Sequence, residues 1–205
     1  MPRNKNTDDD ALRADALIMT RVAANDATAW RQVVDRQLGR VLLLAKRMLG
    51  QHQEAEEVAQ EAFIRLWRQS SCWTGEARIG TWLFRVVHNL CIDRLRAYQR
   101  RMEEGAWIDE EIASLPAPSS ASPLALYEQS ERRKILDQAL ALLPLRQRTA
   151  LVLVNMLGLH VGEAASVMHI GEEAMASLLA RGREGLRQRL APWHDALVGN
   201  GHDGP

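Results

Sequence analysis

Arg85, Asn89, Asp93, Arg96 and Arg100 step along the chain by four, four, three and four positions. That spacing keeps all five side chains on one side of an α-helix. Guanidinium groups so placed suit contact with successive phosphates, and an asparagine amide can read or hold a base edge. Arg94 and Arg101 lie close by. An ordinary solvated helix face has the same appearance. What separates the two readings is the chain around the stripe.

The stripe lies on Gly80–Arg101, G-T-W-L-F-R-V-V-H-N-L-C-I-D-R-L-R-A-Y-Q-R-R, with no proline and no glycine after Gly80. It reads as one uninterrupted helix whose Leu83, Val86, Val87 and Leu90 form a buried face. The formal net charge of the 205 residues is zero, but the charge is unevenly spread. Arg78, Arg85, Arg94, Arg96, Arg100 and Arg101 stand against only Glu76 and Asp93. From Met102 to Glu131 there is no lysine or arginine, and Glu103, Glu104, Asp109, Glu110, Glu111, Glu128 and Glu131 are all acidic. A basic helix followed at once by an acidic stretch is an asymmetry that the sum conceals.

With 46% hydrophobic and 25% charged residues the composition is that of a soluble globular protein. No apolar run approaches membrane-spanning length, and Met1–Asp10 is polar and acidic rather than signal-like. A cytoplasmic protein is the expectation. Cys72 and Cys91 are too few and too far apart for a disulfide framework or a four-ligand zinc site. His88, one turn from Cys91, is expected to be a helical histidine beside a part-buried thiol, not half of a metal site. No Gly-rich phosphate loop, catalytic triad or paired-carboxylate pattern is present, so neither enzyme chemistry nor a cofactor is expected.

The elements that would position the stripe follow in order. Residues 1–9 read as a disordered tail. Asp10 can cap a first helix through about Ala24, and Asp26 a second. The second carries Trp30, Val33, Val34, Leu38, Val41, Leu42, Ala45, Met48 and Leu49 at spacings of three and four, and stops at Gly50. Gln53–Arg68 follows, with Val58, Ala62, Phe63 and Leu66 inward and Glu54, Glu57, Gln60 and Glu61 outward. Those glutamates either stabilise the helix N-terminus or form an acidic docking surface for a basic protein. In the loop 69–79, Trp73 is either a lid on the core or a platform for an unstacked base. Pro116–Pro123, P-A-P-S-S-A-S-P, reads as a flexible linker. Beyond it four helices are expected: Tyr127–Leu143, Leu145–Leu157, Val161–Met168 and Glu172–Leu190. The last two are joined by the tight turn His169-Ile170-Gly171, the pattern of a helix-turn-helix. Met175, Leu178, Leu179, Gly182 and Leu186 face inward on the final helix, leaving Ser177, Arg181, Arg183, Arg187 and Gln188 outside. The expected fold is all-α, two small helical domains. Its boundaries are a tail 1–9, a first domain 10–102, a linker 103–123, a second domain 124–192 and a mobile tail 193–205.

The chain resembles the sigma-70 family of bacterial transcription initiation factors, in its extracytoplasmic-function (ECF) group. The blocks E-E-V-A-Q-E-A-F-I-R-L-W at 56–67 and T-W-L-F-R-V-V-H-N-L-C-I-D-R-L-R at 81–96 are similar to region 2. A-L-A-L-L-P-L-R-Q-R-T-A-L-V-L at 139–153, G-E-A-A-S-V-M-H-I at 162–170 and S-L-L-A-R-G-R-E-G-L at 177–186 are similar to region 4. The resemblance implies that Glu57, Gln60 and Glu61 dock on the β′ clamp helices of core RNA polymerase, with the β flap a further contact. It implies that Trp73, Arg78, Arg85, Asn89, Arg94, Arg96 and Arg100 capture the promoter −10 element, with Trp82 and Leu83 as support. Unstacking a base costs a few kcal/mol, offset by pocket stacking and phosphate contacts. The second domain would meet the −35 element through Glu173, Ser177, Arg181, Arg183 and Arg187, and an anti-sigma factor is the implied regulator. The spacing of the two domains would change with the partner.

The chain departs from the family pattern at its turn, with His169 where the family usually has Gly and Gly171 where Ser is common. Glu172 and Glu173 open the recognition helix, where carboxylates repel phosphates, although a glutamate can accept from cytosine N4. These glutamates and the neutral charge leave an alternative: a sigma-like decoy that sequesters an anti-sigma factor without binding DNA.

Overall fold

The computed structural model describes residues 5–103 and 134–193, and every regular element in them is helical. The acidic and Pro/Ser-rich linker beyond Glu103, the start of the helix expected from Tyr127 and the tail after Trp193 lie outside the described residues. Helix α1 spans Lys5–Ala23, so 5–9 is helical where a tail was expected and the helix does not begin at Asp10. Asp9 and Asp10 fall within its N-terminal turns, where carboxylates offset the positive end of the macrodipole.

Asp26 caps α2 (Ala27–Leu49) as its position predicts, accepting from the amides of Thr28 at 2.9 Å and Ala29 at 3.0 Å. The Ala29 amide above all, with Arg21 beside it, holds the Asp26 carboxyl below the usual carboxylate range. At the other end Gly50 takes φ 79°, a left-handed cap that only glycine adopts without strain, and its N–H closes on the Lys46 carbonyl. The inward stripe is Ala29, Val33, Gln37, Val41, Leu44, Ala45 and Met48. Leu38, expected inside, is exposed, because Gln37 takes the neighbouring inward position at the start of α4.

Helix α3 (His52–Gln69) buries Ala55, Val58, Ala59, Ala62, Phe63 and Leu66 against α2. Trp30 seals that seam edge-on to Phe63 and Trp67 at centroid distances of 6.0 and 5.0 Å. A short 3₁₀ turn at Ser70–Cys72 leads to α4, Ile79–Glu103. Leu83, Phe84, Val87, His88 and Cys91 are its buried face, whereas Val86 and Leu90 are only half-buried. The centre of the face therefore lies one position further round than Leu83, Val86, Val87 and Leu90 suggest, so Cys91 is wholly inside.

In the second half, α5 (134–141) ends before Pro144, which caps α6 (Leu145–Leu151). The expected single helix to Leu157 widens instead into a π turn at Val152–Met156, and Gly158 at φ 69° ends it. Helices α7 (Val161–Val167) and α8 (Glu172–Leu190) follow. Gly182 lets α8 approach α6: a Cβ there would lie 3.1 Å from Leu151 and 3.3 Å from the Gln147 carbonyl. Met175 and Leu179 are buried with it, while Leu178 and Leu186 pack at the margin. The halves touch directly, α2 on α6 and α4 on α7, and their buried residues join in one core cluster.

Candidate nucleic-acid interface

Helix α4 is held at both ends by other elements. At its N-terminus the buried Asp15 carboxylate of α1 accepts the Ile79 amide at 2.9 Å, satisfying a donor that no turn within α4 can reach. Sequence reasoning did not single out Asp15. Its signal was there: with Ile18, Met19 and Val22 it shares the i, i+3, i+4, i+7 stripe of α1, so it is a carboxylate on a buried face. Further along, Arg94 donates to Glu57 of α3 at 3.0 Å and to the Glu54 carbonyl at 3.4 Å.

Arg94 thus faces α3 and stands apart from the stripe. Asn89, Asp93, Arg96 and Arg100 are exposed along one side of α4. Arg85 continues that side but is half-buried, donating to the Ser166 hydroxyl of α7 at 2.8 Å. A cleft of about 690 Å³ opens beside it, lined by His88, Asn89, Asp93 and Arg96 on α4, facing Arg146, Met168 and His169. Burial, reinforced by the nearby His169 and Arg146 charges and opposed by the Asn89 hydrogen bond, pushes the His88 imidazole below its ordinary value. Arg78 precedes α4 and lines a smaller polar cavity, about 100 Å³, with Asp15, Arg36, Arg40 and Glu163. Burial first, and then the Arg78 charge, lowers the Arg40 guanidinium.

Trp73 is half-buried and edge-on to Trp82 at 6.1 Å, and its indole N–H is buried without an acceptor among the described residues. That placement matches the lid reading. Cys91 is fully buried, and desolvation pushes its thiol up to about 12, so it offers no thiolate to metal or oxidant near neutrality. Cys72 is exposed.

On α3, Glu57 and Gln60 are exposed and Glu61 is half-exposed. Two of the three are engaged, Glu57 by Arg94 and Glu61 by Arg65 at 2.8 Å. Both pairs are open to solvent and contribute little stability. The glutamates therefore remain free to exchange partners.

On α8, Glu173, Arg181, Arg183 and Arg187 are exposed, and the half-exposed Ser177 accepts from Arg181 at 2.8 Å. Arg187 is paired with Glu184. The Glu172 carboxylate folds back over Gly162 of α7, so close that a Cβ at Gly162 would lie 2.8 Å from Oε1. Glu172 remains exposed beside Glu173 at the start of α8. His169 carries the turn at φ 53°, the left-handed conformation that glycine adopts freely. The arrangement combines a basic stripe, a neighbouring aromatic pair and a helix-turn-helix with a cationic outer face. It can bind a polyanion at two separate places.

The family model for sigma-70 region 2 matches residues 33–101, and that for sigma-70 region 4 matches residues 133–186. The chain is 30% identical over 178 residues to the ECF RNA polymerase sigma factor SigW of Bacillus subtilis, covering 83% of this chain and 93% of that relative. It is 33% identical to the ECF RNA polymerase sigma factor SigE of Mycolicibacterium smegmatis over 84% of this chain and 68% of the relative. Among solved structures it is similar to the sigma factor RpoE of Bartonella quintana in complex with the anti-sigma factor NepR. That likeness has a TM-score of 0.64 at 21% identity, over 78% of this chain and 96% of the other. It is also similar to CnrH in complex with the cytosolic domain of CnrY, with a TM-score of 0.61 at 20% identity, over 87% and 98% of the two chains.

Proposed function

The chain belongs to the sigma-70 family, in its extracytoplasmic-function group, and we propose how its parts share the work of an alternative sigma factor. The chain binds core RNA polymerase, brings it to a set of promoters and helps melt them. Helix α3 docks on the β′ clamp helices through Glu57, Gln60 and Glu61, and the second half takes the β flap. Arg85, Asn89, Arg96 and Arg100, with Arg78 at the start of the helix, hold the −10 strand. Arg94 supports them from behind by fixing α4 to α3. Trp73 acts through Trp82 as a wall of the base-capturing loop. Helix α8 enters the major groove at −35, its Ser177 and Glu173 nearest the bases and Arg181, Arg183 and Arg187 on phosphates. The working units are the first half, from the start of α1 at Lys5 to 102, and 124–192, joined through 103–123, and the protein acts in the cytoplasm. None of the described helices is long and apolar enough to cross a membrane. The two similar solved structures are complexes, one with the anti-sigma factor NepR and one with the cytosolic domain of CnrY. By analogy an anti-sigma factor holds this chain in check.

The observation that carries this reading is the stripe itself. Helix α4 buries its opposite face in the core and leaves an asparagine between arginines facing outward, inside a region 2 match that covers the helix as far as residue 101. The chemistry of RNA synthesis belongs to the polymerase, so catalytic residues are not assigned to this chain. Titration of core polymerase with labelled protein tests the docking step. Glu57→Lys with Glu61→Lys is expected to weaken binding about tenfold or more, since each reversal puts like charge against a basic partner. Unchanged affinity would move the docking face elsewhere. A chain that binds an anti-sigma factor but neither core nor DNA would be the decoy instead.

A further inference from the structure

The small polar cavity beside the start of α4 gathers positive charge that the fold leaves unanswered. Arg36 and Arg40 of α2 and Arg78, just before α4, converge on it, against the carboxylates of Asp15 and Glu163. Both carboxylates already have partners. Asp15 accepts the Ile79 amide at 2.9 Å, and Glu163 accepts the His160 amide at 2.9 Å and the Thr81 hydroxyl at 3.4 Å. The Arg78 guanidinium has no hydrogen bond or ion pair among the described residues. Its charge falls on Arg40 instead, whose guanidinium is lowered by burial first and by Arg78 next. Gln37 reaches the same space. It is 6% exposed, and its Oε1 is buried with no donor among the described residues. Gly80 keeps that oxygen clear, since a Cβ there would lie 3.2 Å from Oε1 and 3.4 Å from Arg40 Nη1. Gly80 and Thr81 also line the cavity, so the positive end of a 25-residue helix opens on it.

We propose that this cavity is a binding site for a small tetrahedral oxyanion of the phosphate class, clasped between the two halves of the chain. Its volume is about 100 Å³, room for about three waters at ~30 Å³ each or for one such ion. Guanidinium forks match phosphate oxygens, and a helix N-terminus favours the same charge. The buried acceptor narrows the class further. Monohydrogen and dihydrogen phosphate keep a P–OH that can donate to Gln37 Oε1. Sulfate is fully ionised near neutral pH and has no proton to give, so it would leave that acceptor unpaired. Gly158, Leu159 and Glu163 close the cavity from the second half of the chain, so a bound ion touches both halves. The site shares Arg78 with the −10 surface but does not depend on that reading of α4.

Calorimetric titration and thermal melts of the full chain test this, in phosphate-free buffer at fixed ionic strength, with inorganic phosphate, sulfate and adenosine monophosphate as probes. Saturable phosphate binding is expected, with Tm raised by roughly 3–6 °C at about ten times Kd. Sulfate should bind about tenfold more weakly or worse, for want of one hydrogen bond in a buried site. Arg36→Gln alters an exposed side chain and should weaken phosphate about tenfold. Gln37→Met keeps the volume and removes the unpaired acceptor. Its Tm without phosphate should be no lower than wild type, while the preference for phosphate over sulfate disappears. Slower amide exchange at Gly80 and Thr81 on adding phosphate would locate the ion. Adenosine monophosphate binding as tightly as phosphate would put the same group on a nucleotide, with the nucleoside outside. Much weaker binding would leave the free ion as the ligand, and the clasp stands either way. No binding and no Tm shift at millimolar phosphate would mean that the cavity holds water only, and would overturn the proposal. Equal binding of phosphate and sulfate by wild type would overturn it too, as would phosphate binding that both variants leave unchanged.

Discussion

Replacing Asp15 by alanine tests the claim that α1 positions the DNA-directed helix. The Asp15 carboxylate and the Ile79 amide meet at 2.9 Å, with Asp15 6% and Ile79 2% exposed, so water cannot readily take over either role. A hydrogen bond to a charged acceptor is worth about 1.5–3 kcal/mol, and a buried amide left unpaired costs a similar amount. The second partner, Arg36 at 3.9 Å, is well exposed and adds little. Asp15→Ala should therefore cost about 2 kcal/mol. Asp15→Asn keeps an acceptor but loses the charge at a helix N-terminus, and should cost about 1 kcal/mol. For a chain of this size that corresponds to a Tm lowered by roughly 4–8 °C and 2–4 °C. Urea and thermal melts give the two values, and amide exchange at Ile79 should accelerate most in the alanine variant. An alanine variant within about 0.5 kcal/mol of wild type, the usual spread of surface changes, would refute the cap. An asparagine variant as unstable as the alanine one would show that charge, and not the hydrogen bond, is what matters.

Native protein treated with a thiol reagent should show one fast-reacting group, Cys72, and a second only on unfolding, because Cys91 is buried and its thiol is pushed up to about 12. Two fast thiols would contradict the buried face of α4. His88 is depressed by burial, so the folded state prefers it neutral. Its stabilising effect is complete above about pH 6.5, the unfolded value, and is lost as pH falls toward the lowered folded value. Tm should fall as pH drops below about 6.5 in wild type and fall less in His88→Gln. Arg183→Ala should lower the salt dependence of binding to −35 duplexes by about one phosphate contact, roughly 0.9 in the log–log slope. An unchanged slope would remove Arg183 from the DNA face.

The helices were legible in the sequence wherever a local rule decides them. Asp26 caps α2, Gly50 and Gly158 end helices at positive φ, and the turn at His169-Ile170-Gly171 separates α7 from α8. Spacing alone also places the exposed Asn89, Arg96 and Arg100 on one side of α4. Partners distant in the chain were not legible. Arg94 shares the basic run, yet it turns to Glu57 because α3 lies behind it. Position 37 falls on the Val33, Val41, Leu44 and Met48 stripe of α2, but the polar type of Gln37 and the apolar type of Leu38 hide which of the two faces inward. The burial of Arg85 beside Ser166 likewise arises from packing between the halves, and no local signal in the sequence marks the π turn at Val152–Met156.

Run-off transcription with purified core polymerase on genomic promoter fragments tests the central claim most directly, comparing wild type with Asn89→Ala plus Arg96→Ala. The account predicts discrete start sites with wild type, and a double mutant that binds core as wild type does but opens no promoter. Initiation by the double mutant at wild-type levels would contradict the role given to α4. Wild type that neither binds core nor initiates would contradict the proposed function as a whole.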